Sequence, residues 1–140
     1  MPTKSNSGAG FPVEEASIAQ AQAALRNGDA TARSITEAYL ARIGAYDQSG
    51  PTLNAVVTTN PQALERADEL DASMRETGGS VGPLHGMPIL VKDNVETTAM
   101  PTTQGTIGMA GYQPREDATV IQHLESAGAI ILGKTTLPDF

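Results

Sequence analysis

The chain has 140 residues, with nine Lys and Arg against sixteen Asp and Glu, a formal charge of −7, and 39% hydrophobic and 18% charged residues. This length and balance describe one globular domain with a sizeable core rather than a disordered segment. Its basic residues are scattered, which excludes a general nucleic-acid binder, and the lack of cysteine removes disulfide frameworks, thiolate zinc sites and a cysteine nucleophile.

The first twelve residues carry Pro2, Gly8, Gly10 and Pro12 without periodicity and read as a flexible tail, with an α/β domain expected over residues 13–140. No apolar leader core is present near Met1, and no stretch reaches the roughly 18 apolar residues that span a bilayer, so a cytoplasmic protein with no membrane partner is expected. Residues 14–27, rich in Ala, Gln and Leu and followed by Gly28, predict a first helix. A second, capped by Thr31 or Ser34, is predicted from the apolar stripe Ile35, Ala38, Tyr39, Ile43 and Tyr46, with its stop in residues 47–51. The β-branched segment of residues 53–59 predicts a strand. Asn60-Pro61 then reads as a cap with proline at the first helical position, opening a helix over residues 61–76 with Leu64, Ala67, Leu70 and Met74 on one side.

After the loop of residues 77–83, Pro88 opens a strand whose core is Ile89-Leu-Val91. A helix with Val120, Ile121, Leu124 and Ala127 on its buried face ends at Gly128 and leads into the continuously apolar Ala129-Ile-Ile-Leu132. Strand, helix, strand predicts an α/β crossover whose two strands are covered on both faces. The chain stops at Leu137-Pro-Asp-Phe140, directly after a core strand and its loop, so a domain incomplete at its carboxyl end is expected.

Lys92 ends the apolar run of residues 89–91. A lysine buried at a strand end must be neutral or paired; by strand pattern alone it equally fits a stem that covers apolar surface while its head reaches water. Asp93 and Asn94 read as anchors of the following turn, as does Glu96. His85 lies in a Pro/Gly turn and His123 on a helix, without the carboxylate spacing of a zinc site. Lys134 reads as a surface or packing residue near a strand end rather than a second base.

The segment Gly82-Pro-Leu-His-Gly-Met-Pro-Ile-Leu-Val-Lys-Asp-Asn94 is followed by Met100-Pro-Thr-Thr-Gln-Gly-Thr106, Asp117-Ala-Thr-Val120 and Ala127-Gly-Ala-Ile-Ile-Leu-Gly-Lys-Thr135. In order and spacing this series resembles the amidase signature family of serine amide hydrolases. Weaker likeness at Ala38-Tyr-Leu-Ala-Arg-Ile43 and Leu53-Asn-Ala-Val-Val57 extends it to about residues 15–140. The resemblance implies a partial amidase-signature fold, with amino-terminal helices and the first strands of a mixed sheet covered by helices.

It also implies a Ser-cisSer-Lys triad in which Lys92, neutral, is the base. It takes the proton of the nucleophilic serine through the cis-serine and returns it toward the departing amine. An arginine cannot serve, because it stays charged. Neither serine is legible here, because nothing between Lys92 and Phe140 is Gly/Ser-rich. The 140-residue chain alone is therefore expected to be inactive, and the complete protein to hydrolyse a small-molecule carboxylic amide without cofactor or metal.

In that family the loop after the lysine strand borders the acyl pocket, which makes Thr102, Thr103 and Gly105 candidates for substrate binding. A tight structural turn explains the same residues as well. Two other identities stay open: the glutamine-hydrolysing subunit of a tRNA-dependent amidotransferase, which shares the lysine motif, and a non-catalytic interaction fragment.

Overall fold

The computed structural model describes residues 10–138. Most of the expected tail, residues 1–9, and the terminal pair 139–140 lie outside the described residues. Of the remainder of that tail, Phe11 packs with Val13, Ala21, Leu25, Ile35 and Met87.

Helix α1 (Ile18–Asn27) starts at Ser17 through a reciprocal cap: the Gln20 amide donates to Ser17 Oγ at 3.2 Å and the Ser17 amide to Gln20 Oε1 at 2.8 Å. Gly28 ends it with φ 77°, in the left-handed region. Helix α2 (Ala32–Arg42) repeats the device with Thr31 and Ser34, each amide reaching the other side chain at 3.0 Å. The Asp71 carboxylate also accepts from the Ala32 and Arg33 amides at 2.7 and 3.0 Å, placing negative charge at the positive end of α2. A π-helical turn, Ile43–Asp47, follows directly. Asp47, almost fully buried, accepts from the Ala55 amide at 2.7 Å and from the Val56 amide at 3.3 Å, fixing where the next strand begins.

That strand, β1 (Val56–Thr59), starts three residues later than the sequence pattern predicts. Thr52 and Asn54 adopt φ of 57° and 50°, which breaks extended pairing before it begins. Helix α3 (Ala63–Thr77) is likewise displaced. Asn60 does not cap it directly: its amide and its side-chain nitrogen donate to the Leu132 and Ile131 carbonyls at 2.8 and 2.7 Å, and its Oδ1 accepts from the Gln62 amide at 2.9 Å. Asn60 is thus spent on the sheet, and Pro61 occupies the turn before the helix. Ala63, Ala67 and Leu70 are buried, with Leu64 and Met74 half-buried.

Strand β2 (Pro88–Lys92), a 3-10 turn (Ile107–Met109), helix α4 (Thr119–Ser126) and strand β3 (Ile130–Thr135) complete the described chain. The three strands form one mixed sheet in the order β1-β3-β2, with β3 antiparallel to β1 and parallel to β2. The predicted crossover is therefore present, with α4 carrying the chain between parallel strands. Full cover of both strands is not: β3 is buried almost throughout, whereas β2 pairs only with β3 among the described residues and leaves Leu90 41% exposed. On α4 the pattern overstates the buried face, since Ile121 is buried but Val120 is 53% exposed.

The register of β2 against β3 runs Ile89 to Ile131 and then Leu90 to Gly133, so Leu132 is an extra residue on β3. Before this bulge Ile130, with Leu132, packs on the α2/α3 layer (Ala32, Ala63, Ala67 and Leu70). Ile131 packs on the opposite face with Met100 and Ile121. After it the alternation is reset, and Lys134, paired with Val91, lies on the face of Ile131. Among the described residues no helix is long and apolar enough to cross a membrane.

Two outcomes follow from this packing. A Cβ on Gly133 would stand 2.5 Å from the Thr58 carbonyl oxygen and 3.2 Å from Thr59 Cα, both backbone, so Gly133→Ala must push β1 and β3 apart. A loss of about 1–3 kcal/mol is expected, read as a lower urea midpoint by circular dichroism.

His85 is buried, its Nδ1 accepts from the Val81 amide at 3.0 Å, and burial lowers its pKa, opposed by the nearby Asp71 carboxylate and reinforced by Arg66. Unfolded His85 takes a proton below about pH 6.5 that the folded residue declines, so stability falls as pH drops from that value toward the lowered folded one. Urea titrations at about pH 7.5 and about pH 5 should show this fall, and His85→Asn, which retains an acceptor for Val81, should make it shallower.

Candidate active site

Lys92 closes β2 in register with Thr135, and its Nζ donates to the Thr136 carbonyl at 2.7 Å. Of the two placements that the strand pattern allows, burial and a head that reaches water, the described chain shows the second: Lys92 is exposed. The reason is topological. Alternation puts Lys92 on the face of Leu90, and that face is open at the carboxyl end of β2.

The turn that follows is built from the backbone. The Val95 amide donates to the Lys92 carbonyl at 3.0 Å, and the Asp93 amide to the Thr135 carbonyl at 3.0 Å, which extends the parallel pairing past the strand. Asp93 is buried, and its side chain reaches beyond the local turn expected for it. Its carboxylate accepts from the Thr103 amide at 3.2 Å and from the Thr103 hydroxyl, while its carbonyl accepts from the Gln104 amide at 3.1 Å. Asn94 and Glu96 are exposed. Glu96 accepts from the Tyr112 hydroxyl at 2.7 Å, a bond that holds the phenol proton and raises its pKa.

The three loop candidates differ in what they present. Thr102 is buried, with its hydroxyl directed to Lys134 at 2.9 Å. Thr103 is half-buried and donates to Asp93. Gly105 is exposed with φ 69°, next to Gln104 at φ 52°, so the loop turns sharply there and shows backbone to solvent. Lys92 and this loop are joined through Asp93.

Lys134, for which the sequence leaves a surface and a packing role open, is not at the surface but wholly enclosed. Its Nζ donates to the Val95 carbonyl at 2.7 Å, to Thr102 Oγ1 at 2.9 Å and to the Pro101 carbonyl at 3.4 Å, with Asp93 Oδ1 at 3.7 Å. Desolvation lowers its pKa, and the Asp93 carboxylate opposes that. An ammonium has three donors, and three oxygens receive them here. The available signal was Gly133, an isolated glycine inside a strand pattern that marks a bulge or a close backbone approach, but it does not say which residue is the extra one.

His85 and His123 play no part in this cluster, and no group of three or more His, Asp or Glu among the described residues is placed to hold a metal. A surface groove of about 470 Å³ between α3 and α4 is lined by Arg66, Glu69, Asp117 and Glu125, and one of about 460 Å³ lies beside residues 78–85. Neither includes Lys92.

The sequence and the fold have counterparts in known proteins. The chain is 43% identical over 123 residues to the A subunit of the glutamyl-tRNA(Gln) amidotransferase of Chloroflexus aurantiacus, covering 88% of this chain and 25% of that protein. It is 41% identical over 126 residues to the corresponding chloroplastic/mitochondrial protein of Zea mays, covering 89% and 23%. Its fold matches the peptide amidase of Stenotrophomonas maltophilia with a TM-score of 0.85 at 43% identity, over 91% of this chain and 26% of the other. An amidase family protein of Bacillus anthracis matches with a TM-score of 0.82 at 38% identity, over 88% and 24%. The chain thus spans about a quarter of the length of the relatives it matches. The Amidase family model covers residues 34–140, most of the sequence, and the chain belongs to the amidase family.

Proposed function

We propose that these residues are the amino-terminal part of an amide hydrolase and that Lys92 is its base. The observation that carries this reading is the position of Lys92. It stands at the carboxyl end of a strand, on an open face, with its Nζ held only by the Thr136 carbonyl among the described residues. A base must be reachable by the group whose proton it takes, and a side chain so placed is.

The reaction demands an activated nucleophile, a proton for the leaving nitrogen and donors for the oxyanion. Lys92 would supply the proton relay, receiving the proton of a nucleophilic serine through a second serine and returning it to the amine. Both serines would come from sequence beyond these 140 residues. Cover from that same sequence would shield Lys92 from water and favour its neutral form. The small-molecule amide would lie against the loop of residues 102–105, where Gln104 and Gly105 are exposed.

A second reading is favoured by the likeness to the glutamyl-tRNA(Gln) amidotransferase of Chloroflexus aurantiacus: the amide would then be glutamine and its nitrogen would pass to an acceptor. Peptide-amide and glutamine hydrolysis assays on the full-length protein separate the two.

In the full-length protein, Lys92→Arg and Lys92→Ala should each lower amide hydrolysis by about 10²–10⁴-fold, measured as ammonia release. A Lys92→Arg variant at the wild-type rate overturns the assignment. The purified 140-residue chain should release no ammonia from either amide. Turnover that disappears on Lys92→Ala in that chain would show that the serines are not required.

A further inference from the structure

The relay above makes no use of the enclosed pair formed by Lys134 and Asp93, both at most 1% exposed. Burying two charges costs several kcal/mol per ion, and replacing such a pair by apolar groups is often neutral or stabilising, so stability alone does not explain it. Its connections do. From β3, Lys134 reaches Val95, Pro101 and Thr102, while Asp93 reaches Thr103 and stands next to Lys92 in the chain. Every side-chain hydrogen bond of the pair to the loop thus lies within residues 95–103, the segment that leaves the Lys92 turn and returns beside it. The backbone bond from the Asp93 amide to the Thr135 carbonyl ties the same turn to β3.

We propose that Lys134 is a positioning residue for Lys92, holding the turn of residues 92–95 and the loop of residues 101–103 against β3 so that base and loop keep one geometry. This rests on the reading of Lys92 as the base. In it, the hydroxyls of Thr102 and Thr103 are anchors rather than substrate contacts: the first receives the ammonium and the second donates to the carboxylate. A shift of an ångström in a catalytic group costs on the order of 10²-fold in rate, which makes the effect measurable.

The test uses the full-length protein and three sets of variants beside Lys92→Ala, with kcat, KM and thermal midpoint measured for each. Lys134→Met combined with Asp93→Asn removes both charges and leaves an acceptor for Thr103. Thr102→Val removes one acceptor of the ammonium at nearly constant shape, and Thr102→Ser restores it. The expected result is a fall in kcat of about tenfold or more in the double variant and several-fold in Thr102→Val, with KM changed less than about twofold and the Thr102→Ser rate near wild type.

Wild-type kcat in Thr102→Val and in the double variant, with Lys92→Ala inactive, overturns the positioning role and leaves the Lys92 reading intact. Activity retained by Lys92→Ala overturns that reading instead. A raised KM at unchanged kcat in Thr102→Val makes Thr102 a substrate contact and also overturns the proposal. Should the double variant fail to fold, the Thr102→Val and Thr102→Ser comparison decides.

Discussion

β3 has to satisfy two neighbours of opposite direction while burying nearly every side chain it carries, and the rest of the described chain is arranged around that demand. Antiparallel β1 and parallel β2 present their hydrogen-bonding groups at different spacings. β3 meets both with a glycine where Thr58 comes closest and an extra residue at Leu132. The asparagine before α3 adds two bonds to the Ile131 and Leu132 carbonyls, beyond the end of β1. The apolar layers then follow from which β3 side chain points where. Ile130 and Leu132 meet α2 and α3, and Ile131 meets α4 and Met100.

The helical part of this plan is written locally and is legible in part. Gly28 and Thr31 act as the boundaries they resemble, because a cap is an interaction among neighbours in sequence, whereas α1 begins at Ile18 rather than residue 14, with its Ser17 cap lying inside the predicted span. The late start of β1 and the displaced start of α3 are not legible in the same way. Each is set by a group used at long range: the Asp47 carboxylate holding the Ala55 and Val56 amides, and Asn60 engaged with β3. The capping of α2 by Asp71, thirty-nine residues on from Ala32, belongs to the same class.

At the candidate site the division is similar. The motif around Lys92 identifies the family and the strand that carries it, while the cover over that strand depends on elements the motif does not encode, and the described chain leaves Lys92 open. Thr102 and Thr103 are found by their place in the loop, but their hydroxyls turn toward Lys134 and Asp93. Lys134 reads in the sequence as a surface or packing residue because a lysine after an apolar run ordinarily sends its head to water. Here three oxygens from residues 95–102 meet its ammonium and remove the need to reach water.

The bulge at Leu132 makes residue count, rather than residue type, the determinant of where a charge sits. Strict alternation would place Lys134 with Ile130 and Leu132, over Ala63, Ala67 and Leu70, where the packed groups are apolar and offer an ammonium no acceptor. One additional residue upstream carries it to the side where carbonyls and a carboxylate wait. Lengthening or shortening β3 by a single position between Ile130 and Lys134 would therefore be far more damaging than exchanging one aliphatic side chain for another there. At its aliphatic positions the strand is constrained more by length than by which aliphatic residue it carries.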